Sequence, residues 1–259
     1  SVKKIKPMVL RLDGIYFNLS QDYDKQNAPI KYAYDNADAV IFQSNFNKIL
    51  TENWFGEHKN NYVIHNAADL HIINDANPRF WDDYISSNIE IWTCASSWRP
   101  HKRLKDNIRY FMEHAPKDAI LCIAGEGATS DDFSGWSVDQ FKRIKYLGNL
   151  DYITLTSLYR RSTTFIHLAY MDHCPNVVVD AQAAGCKVIC SSSGGTKEIV
   201  SNGLIIQEKE WDYKPIRLYE PPVLDFKNYI DKNVKNDYSL LECSKRYYNV
   251  FKDIRLDEN

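Results

Sequence analysis

Two carboxylates, Asp172 and Asp180, stand with seven residues between them in the stretch Tyr170-Met-Asp-His-Cys-Pro-Asn-Val-Val-Val-Asp-Ala-Gln-Ala-Ala-Gly185. A carboxylate repels phosphate but accepts hydrogen bonds from hydroxyls. Two of them flanking one turn suit the two carbohydrate ends of a nucleoside-diphosphate sugar. The turn itself suits the phosphates. An apolar run ends near Ala169, a short polar loop follows, and a helix opens at Pro175 or Asn176, where proline's missing N–H costs nothing. A helix start beyond the carboxyl end of a strand offers free N–H groups and the positive end of the helix dipole. Basic residues lie in a second such turn, Ser96-Ser-Trp-Arg-Pro-His-Lys102, after the run Ile91-Trp-Thr-Cys-Ala95. Arg99 and Lys102 fit a pair that neutralises a diphosphate, although on residue types alone a solvated basic turn fits slightly better. His173, inside the acidic loop, reads as a catalytic group or as an ordinary loop histidine. His167, in an apolar run, reads as a core histidine with a satisfied hydrogen bond.

These groups are positioned by repeated β-α units. Short β-branched runs at residues 8–12, 39–42, 62–65, 89–94, 119–124, 144–147, 163–169, 187–190 and 204–206 alternate with amphipathic stretches at 29–37, 45–55, 104–113, 155–161, 176–184 and 196–200. That alternation predicts an α/β fold with Rossmann-like parallel sheets. Two more helices are expected at 226–233 and 238–252. Periodicity fades between 69 and 87, where Asn, Asp and Pro78 accumulate. The expected division is therefore a partial unit at 1–72, a linker at 73–87, a complete unit at 88–222 and terminal helices at 223–259.

Composition excludes other classes. The 259 residues carry 32 Lys+Arg against 34 Asp+Glu, a net charge of −2, without the basic footprint of a nucleic-acid binder. At 44% hydrophobic and 25% charged residues the chain has material for a sizeable core. No apolar run reaches the ~20 residues of a membrane span. The opening residues Ser1-Val-Lys-Lys-Ile-Lys-Pro7 lack a leader's apolar stretch, so a cytoplasmic location is expected, with contact at a membrane periphery left open. The six cysteines form no CxxC pair and read as buried thiols. Gly125-Glu-Gly127 lacks the third glycine of a dinucleotide fingerprint. Asp22-Tyr-Asp24 follows no apolar strand and reads as a solvated loop, so no metal site is expected.

The order of these features resembles the second domain of GT-B fold glycosyltransferases, specifically the retaining glycosyltransferase family 4. That family's pattern is Glu, seven residues, a second Glu opening a small-residue helix, Gly, a Val-rich strand and Gly-Gly-x-x-Glu. Here stand Asp172, Asp180-Ala-Gln-Ala-Ala-Gly185, Lys187-Val-Ile-Cys190 and Gly194-Gly-Thr-Lys-Glu198. Arg99 and Lys102 match the family's basic turn, Ala124-Gly-Glu-Gly127 its glycine turn, and Tyr146-Leu-Gly-Asn-Leu150 its following segment. The resemblance implies that Asp180 holds the nucleotide ribose and Asp172 the hydroxyls of the transferred sugar. It places Gly125, Tyr146 and Leu147 near the base and Cys174, Pro175, Asn176 and Val177 around the distal phosphate. Arg99 and Lys102 would neutralise the diphosphate. Both acidic positions depart from the family by one methylene.

Ala37-Asp-Ala-Val-Ile-Phe-Gln-Ser44 and Tyr62-Val-Ile-His-Asn-Ala67 look like the last part of the family's first domain. Leu10-Arg-Leu-Asp-Gly-Ile15 resembles its strand facing the donor cleft, which makes Asp13 either a polar group near the acceptor or a turn-forming Asp-Gly. The fold implied is GT-B-like, with a truncated first domain. The activity implied is metal-independent transfer, with retention, from a UDP- or GDP-sugar to a hydroxyl acceptor such as a glycan. Two other readings fit the same features: a nucleotide-sugar-binding module completed by a second domain or subunit, and a GT-B nucleotide-sugar epimerase. No cofactor is expected beyond the nucleotide-sugar, which is a substrate.

Overall fold

A computed structural model describes residues 6–256, and the stretch read for a leader lies almost wholly outside them. The first unit runs β1 (Val9–Leu12), α1 (Tyr23–Asn36), β2 (Ala39–Phe42), α2 (Asn45–Phe55), β3 (Asn61–Val63) and α3 (Leu70–Asp75). Its three strands are parallel in the order β1-β2-β3. Ala39, Val40, Ile41 and Phe42 are all buried, the run expected of a strand covered on both faces. Asp22 is the N-cap of α1, its carboxylate accepting from the Lys25 N–H, so the Asp-x-Asp stretch caps a helix rather than forming a free loop.

The second unit contains β4 (Ile91–Ala95), α4 (Leu104–His114), β5 (Ile120–Ala124), α5 (Val138–Lys142), β6 (Ile144–Gly148), α6 (Tyr152–Arg161), β7 (Thr164–His167), α7 (Asn176–Ala183), β8 (Lys187–Ser191), α8 (Thr196–Ile199), β9 (Asn202–Ile206) and β10 (Tyr229–Asn233). Its seven strands take the order β10-β9-β8-β7-β4-β5-β6. Strand order reverses between β4 and β7, both parallel, which opens a crevice at their carboxyl ends.

Two expectations need correction. The segment read as a linker is ordered: Pro78–Asp83 forms a 3₁₀ turn whose buried Trp81 donates from its indole to the Ser157 hydroxyl at 2.9 Å. Its polar residues had masked one anchoring indole. The helix expected at 226–233 is instead β10, antiparallel to β9. Its residues are nearly all exposed on the sheet edge, so no alternation of burial separates a strand from a helix in so short a run.

The chain then returns to the first unit. α9 (Leu240–Leu256) packs Val250 and Ile254 against Ala39, Ile41 and Ile64, so the tail helix completes the first unit's core. A second crossing precedes it. After β9, residues 207–228 form a strap whose middle reaches the first unit: Leu19 N–H donates to the Ile216 carbonyl at 2.8 Å and the Trp54 indole to the Tyr213 carbonyl at 2.8 Å. Arg103 holds the strap's two ends, binding both Glu208 oxygens at 2.8 Å and the Pro222 carbonyl at 2.8 Å.

Candidate functional site: the crevice between the units

The acidic loop lies between β7 and α7. Its backbone is fixed by the next β-α turn, with Gly195 N–H donating to the Asp172 carbonyl at 2.7 Å. A Cβ on Gly195 would lie 2.0 Å from the His173 carbonyl oxygen, so only glycine permits this approach. The Asp172 carboxylate meets Lys102 Nζ at 2.5 Å and His167 Nε2 at 3.0 Å. Burial alone would raise this carboxyl, but the Lys102 ammonium and the His167 hydrogen bond outweigh it and hold it well below the usual range. His167, wholly buried, is pushed down by desolvation first, so a neutral imidazole donates from Nε2. The core histidine read from sequence therefore orients the acidic loop.

Lys102 reaches the crevice from a 3₁₀ turn at Pro100–Lys102, between β4 and α4. Arg99, at the start of that turn, is exposed, and its guanidinium makes no hydrogen bond or ion pair among the described residues. At the start of α7, Pro175 is the N-cap and supplies no side-chain cap, leaving the first N–H groups of Asn176 and Val177 to face the crevice. Cys174 is buried, and its carbonyl accepts from the Asn66 amide at 2.9 Å.

Asp180 lies inside α7 and is 8% exposed. Among the described residues, the one hydrogen bond to its carboxylate comes from the Tyr152 hydroxyl at 3.3 Å. Desolvation raises its pKa to about 6, with the Tyr152 hydrogen bond a smaller opposing effect. It is thus a buried acceptor with capacity to spare. Close by in the sheet, Gly125 N–H donates to the Gly148 carbonyl at 2.6 Å, and Ile123 pairs with Tyr146. A Cβ on Gly125 would lie 1.9 Å from the Ser96 carbonyl oxygen, which explains the glycine at this contact between two turns. Tyr146 is half-exposed with its ring 5.5 Å from Phe133, while Leu147 packs into the core below. Gly125 and Tyr146 therefore sit on neighbouring chain segments at β5 and the edge strand β6, a ledge that Leu147 anchors in the core.

The first unit forms the opposite wall. Asp13 accepts from the Arg11 guanidinium and the Gln43 amide. Arg11 also donates to Asn66 at 2.8 Å, and Asn66 donates to Asn176 at 2.7 Å, which carries the polar chain to the α7 N-terminus. Asp13 is thus tied across strand ends and is not merely an Asp-Gly turn. His173 packs its ring on Phe46 at 5.3 Å and Phe17 at 6.3 Å. Its Nδ1 is buried without a hydrogen-bond partner among the described residues. Desolvation lowers its pKa to about 4, against the opposing pull of Asp172, so the ring is neutral at physiological pH.

Three participants escaped the sequence reading. Glu198, read only as a motif letter, accepts from the backbone N–H groups of Asn45 and Phe46 at 2.7 Å each and so caps α2 of the other unit. Arg103 follows Lys102 directly, and its neighbour's role hid its own. Tyr152 carried no signal, because its partner Asp180 lies far along the chain.

Residues 85–213 match the family model of glycosyl transferases group 1. An uncharacterized glycosyltransferase of Methanocaldococcus jannaschii is 30% identical over 162 residues, 56% of this chain and 41% of the relative. A glycogen synthase of Mycobacterium tuberculosis is 32% identical over 89 residues, 32% of this chain and 20% of the relative. The chain thus spans less than half the length of these curated relatives. Among solved structures, sucrose-phosphate synthase from Thermosynechococcus elongatus aligns with a TM-score of 0.64 at 16% identity, over 78% of this chain and 55% of that one. Anabaena HepE in complex with UDP-glucose aligns with a TM-score of 0.64 at 18% identity, over 79% and 59%.

Proposed function

We propose that this chain, whose residues 85–213 match the glycosyl transferases group 1 model on a GT-B-like fold, moves a sugar from a nucleoside-diphosphate sugar to a hydroxyl acceptor on a glycan. The observation that carries this is the meeting of Lys102, Asp172 and the uncapped α7 N-terminus where strand order reverses. A diphosphate there meets an ammonium and free N–H groups, with Arg99 unengaged at the rim. The spare lone pairs of Asp180 accept the ribose hydroxyls. The Gly125, Tyr146 and Leu147 ledge lies under the base, as the family resemblance implies.

In this reading the Lys102–Asp172 pair is the resting arrangement. Phosphate draws the ammonium over, and the freed Asp172 oxygen accepts a hydroxyl of the transferred sugar while His167 keeps the carboxylate in place. As the bond to the anomeric carbon breaks, negative charge grows on the leaving phosphate, and Lys102 with the helix N-terminus stabilises it without a metal. His173, neutral and wedged against the first unit, faces the crevice from the acceptor side with Asp13. Retention at the anomeric carbon follows the family pattern. The donor is a UDP- or GDP-sugar, and HepE, crystallised with UDP-glucose, favours UDP.

Calorimetric titration with UDP, GDP, ADP and dTDP, followed by donor turnover with each matching sugar, tests the proposal. Nucleotide binding with turnover supports transfer. Binding without any hydrolysis or transfer supports a module that needs a partner, and a changed sugar without an acceptor supports an epimerase.

A further inference from the structure

A cavity of about 220 Å³ lies beside the crevice, at the carboxyl ends of β8 and β9, and the donor assignment leaves it unused. Its walls include Phe46, Trp211 and Tyr213. Trp211 lies 5.2 Å from the Tyr213 ring and 6.0 Å from Phe46, so the rings form one continuous surface. Ser192, Lys197, Lys209 and Glu210 supply polar groups at its rim. Glu208 also lines it, but its oxygens are engaged by Arg103 and Ser191. Lys197 and Lys209 are exposed, and neither ammonium has a carboxylate partner among the described residues.

We propose that this cavity is an acceptor subsite for a sugar ring bearing an anionic group, a carboxylate or a phosphate. The C–H face of a sugar ring is apolar and slightly positive, which matches the negative face of an indole. Ring hydroxyls find Ser192 and Glu210, and the two unpaired ammonium groups take the anion. The location suits an acceptor. Met171 and Gly194 line the cavity on either side of the Asp172 backbone, and Phe46 is shared between the cavity and the His173 ring. Trp211 and Tyr213 belong to the strap that bridges the units, so the cavity opens where an acceptor must enter.

The acceptor role rests on the proposed transfer reaction, whereas binding of an anionic sugar does not. Ligand-observed NMR with methyl glucuronide, glucose 6-phosphate, methyl glucoside and inorganic phosphate, with UDP titrated in parallel, tests it. Both anionic sugars are expected to bind, with the neutral glucoside about tenfold weaker, as when one charge-assisted contact is lost. Trp211→Leu should weaken the anionic sugars by about tenfold through lost stacking. Because Trp211 also packs on Phe17, the double variant K197E/K209E, altered only at exposed positions, is the second probe and should abolish the preference for anionic sugars. UDP binding should be unchanged in both. UDP binding without sugar binding overturns the subsite alone. Sugar binding without UDP binding overturns the donor reading and leaves the subsite standing. Sugar affinities unchanged in both variants, or inorganic phosphate binding as well as the sugar phosphate, overturn it.

Discussion

Asp180→Asn separates the two consequences of burying a carboxylate. Desolvation lifts Asp180 from 3.8 to about 6, which at 1.36 kcal/mol per pH unit corresponds to about 3 kcal/mol. The sign follows from proton binding. Between these values the folded chain holds a proton that the unfolded chain has released, so this group's contribution to stability falls as pH rises from about 4 to about 6. Above that it stays low. The amide of D180N is neutral throughout and still accepts from Tyr152. At pH 7.5 the variant is therefore expected to be more stable by about 3 kcal/mol, a rise in Tm of roughly 6 °C for a chain of this size. Near pH 4 the gain should vanish. Nucleotide binding should change the other way, weakening about tenfold or more as charge-assisted bonds to ribose are lost. Differential scanning fluorimetry across pH, with and without UDP, reads both. A variant no more stable than wild type at pH 7.5 refutes the desolvation argument, and unchanged UDP affinity refutes the ribose role.

Other substitutions probe the remaining contacts. Lys102→Met strands a buried carboxylate and should cost about 3 kcal/mol in urea unfolding, most of it recovered in K102M/D172N, while turnover stays lost in both. Arg103→Ala should cost at least about 3 kcal/mol and expose residues 207–228 to limited proteolysis, because both ends of the strap lose their anchor. Gly195→Ala drives a Cβ into the His173 carbonyl and should destabilise by about 2 kcal/mol while distorting the acidic loop. Burial acts to raise the Glu198 carboxyl, but His65 and the two α2 N–H groups pull it below 4.5. Its stabilising contribution is therefore present at neutral pH and lost as pH falls through that lowered value, and Glu198→Ala should remove about 1–2 kcal/mol at pH 7 and progressively less as the pH falls below that value.

The central strands and the acidic motif were legible because strands buried on both faces read as unbroken apolar runs and because strand end, loop and helix start are contiguous. Asp172, Asn176 and Asp180 follow one another within a single β-α unit, so spacing alone set their relation. What stayed hidden depends on distant partners. Nothing local to Lys102 announces that it meets Asp172, and nothing in Glu198 announces a helix start some 150 residues earlier. The strap draws no element from the sequence, since its ring contacts are made with Phe17 and Phe46 in the other unit. β10 was misread because an exposed edge strand lacks the one-sided burial that gives a strand its alternation.

The two returns of the chain to the first unit set an order on synthesis. β2 and β3 leave the ribosome before the whole second unit, but Ile41 and Ile64 are sealed only when Val250 and Ile254 arrive after it. The Asn18 and Ile216 pairing waits nearly as long. Until then an apolar sheet face has no cover, while the second unit can close over its own sequence. Of the two units the one made first is therefore the one closed last, and a nascent chain stalled before α9 emerges should hold a folded second unit beside a first unit that still engages chaperones.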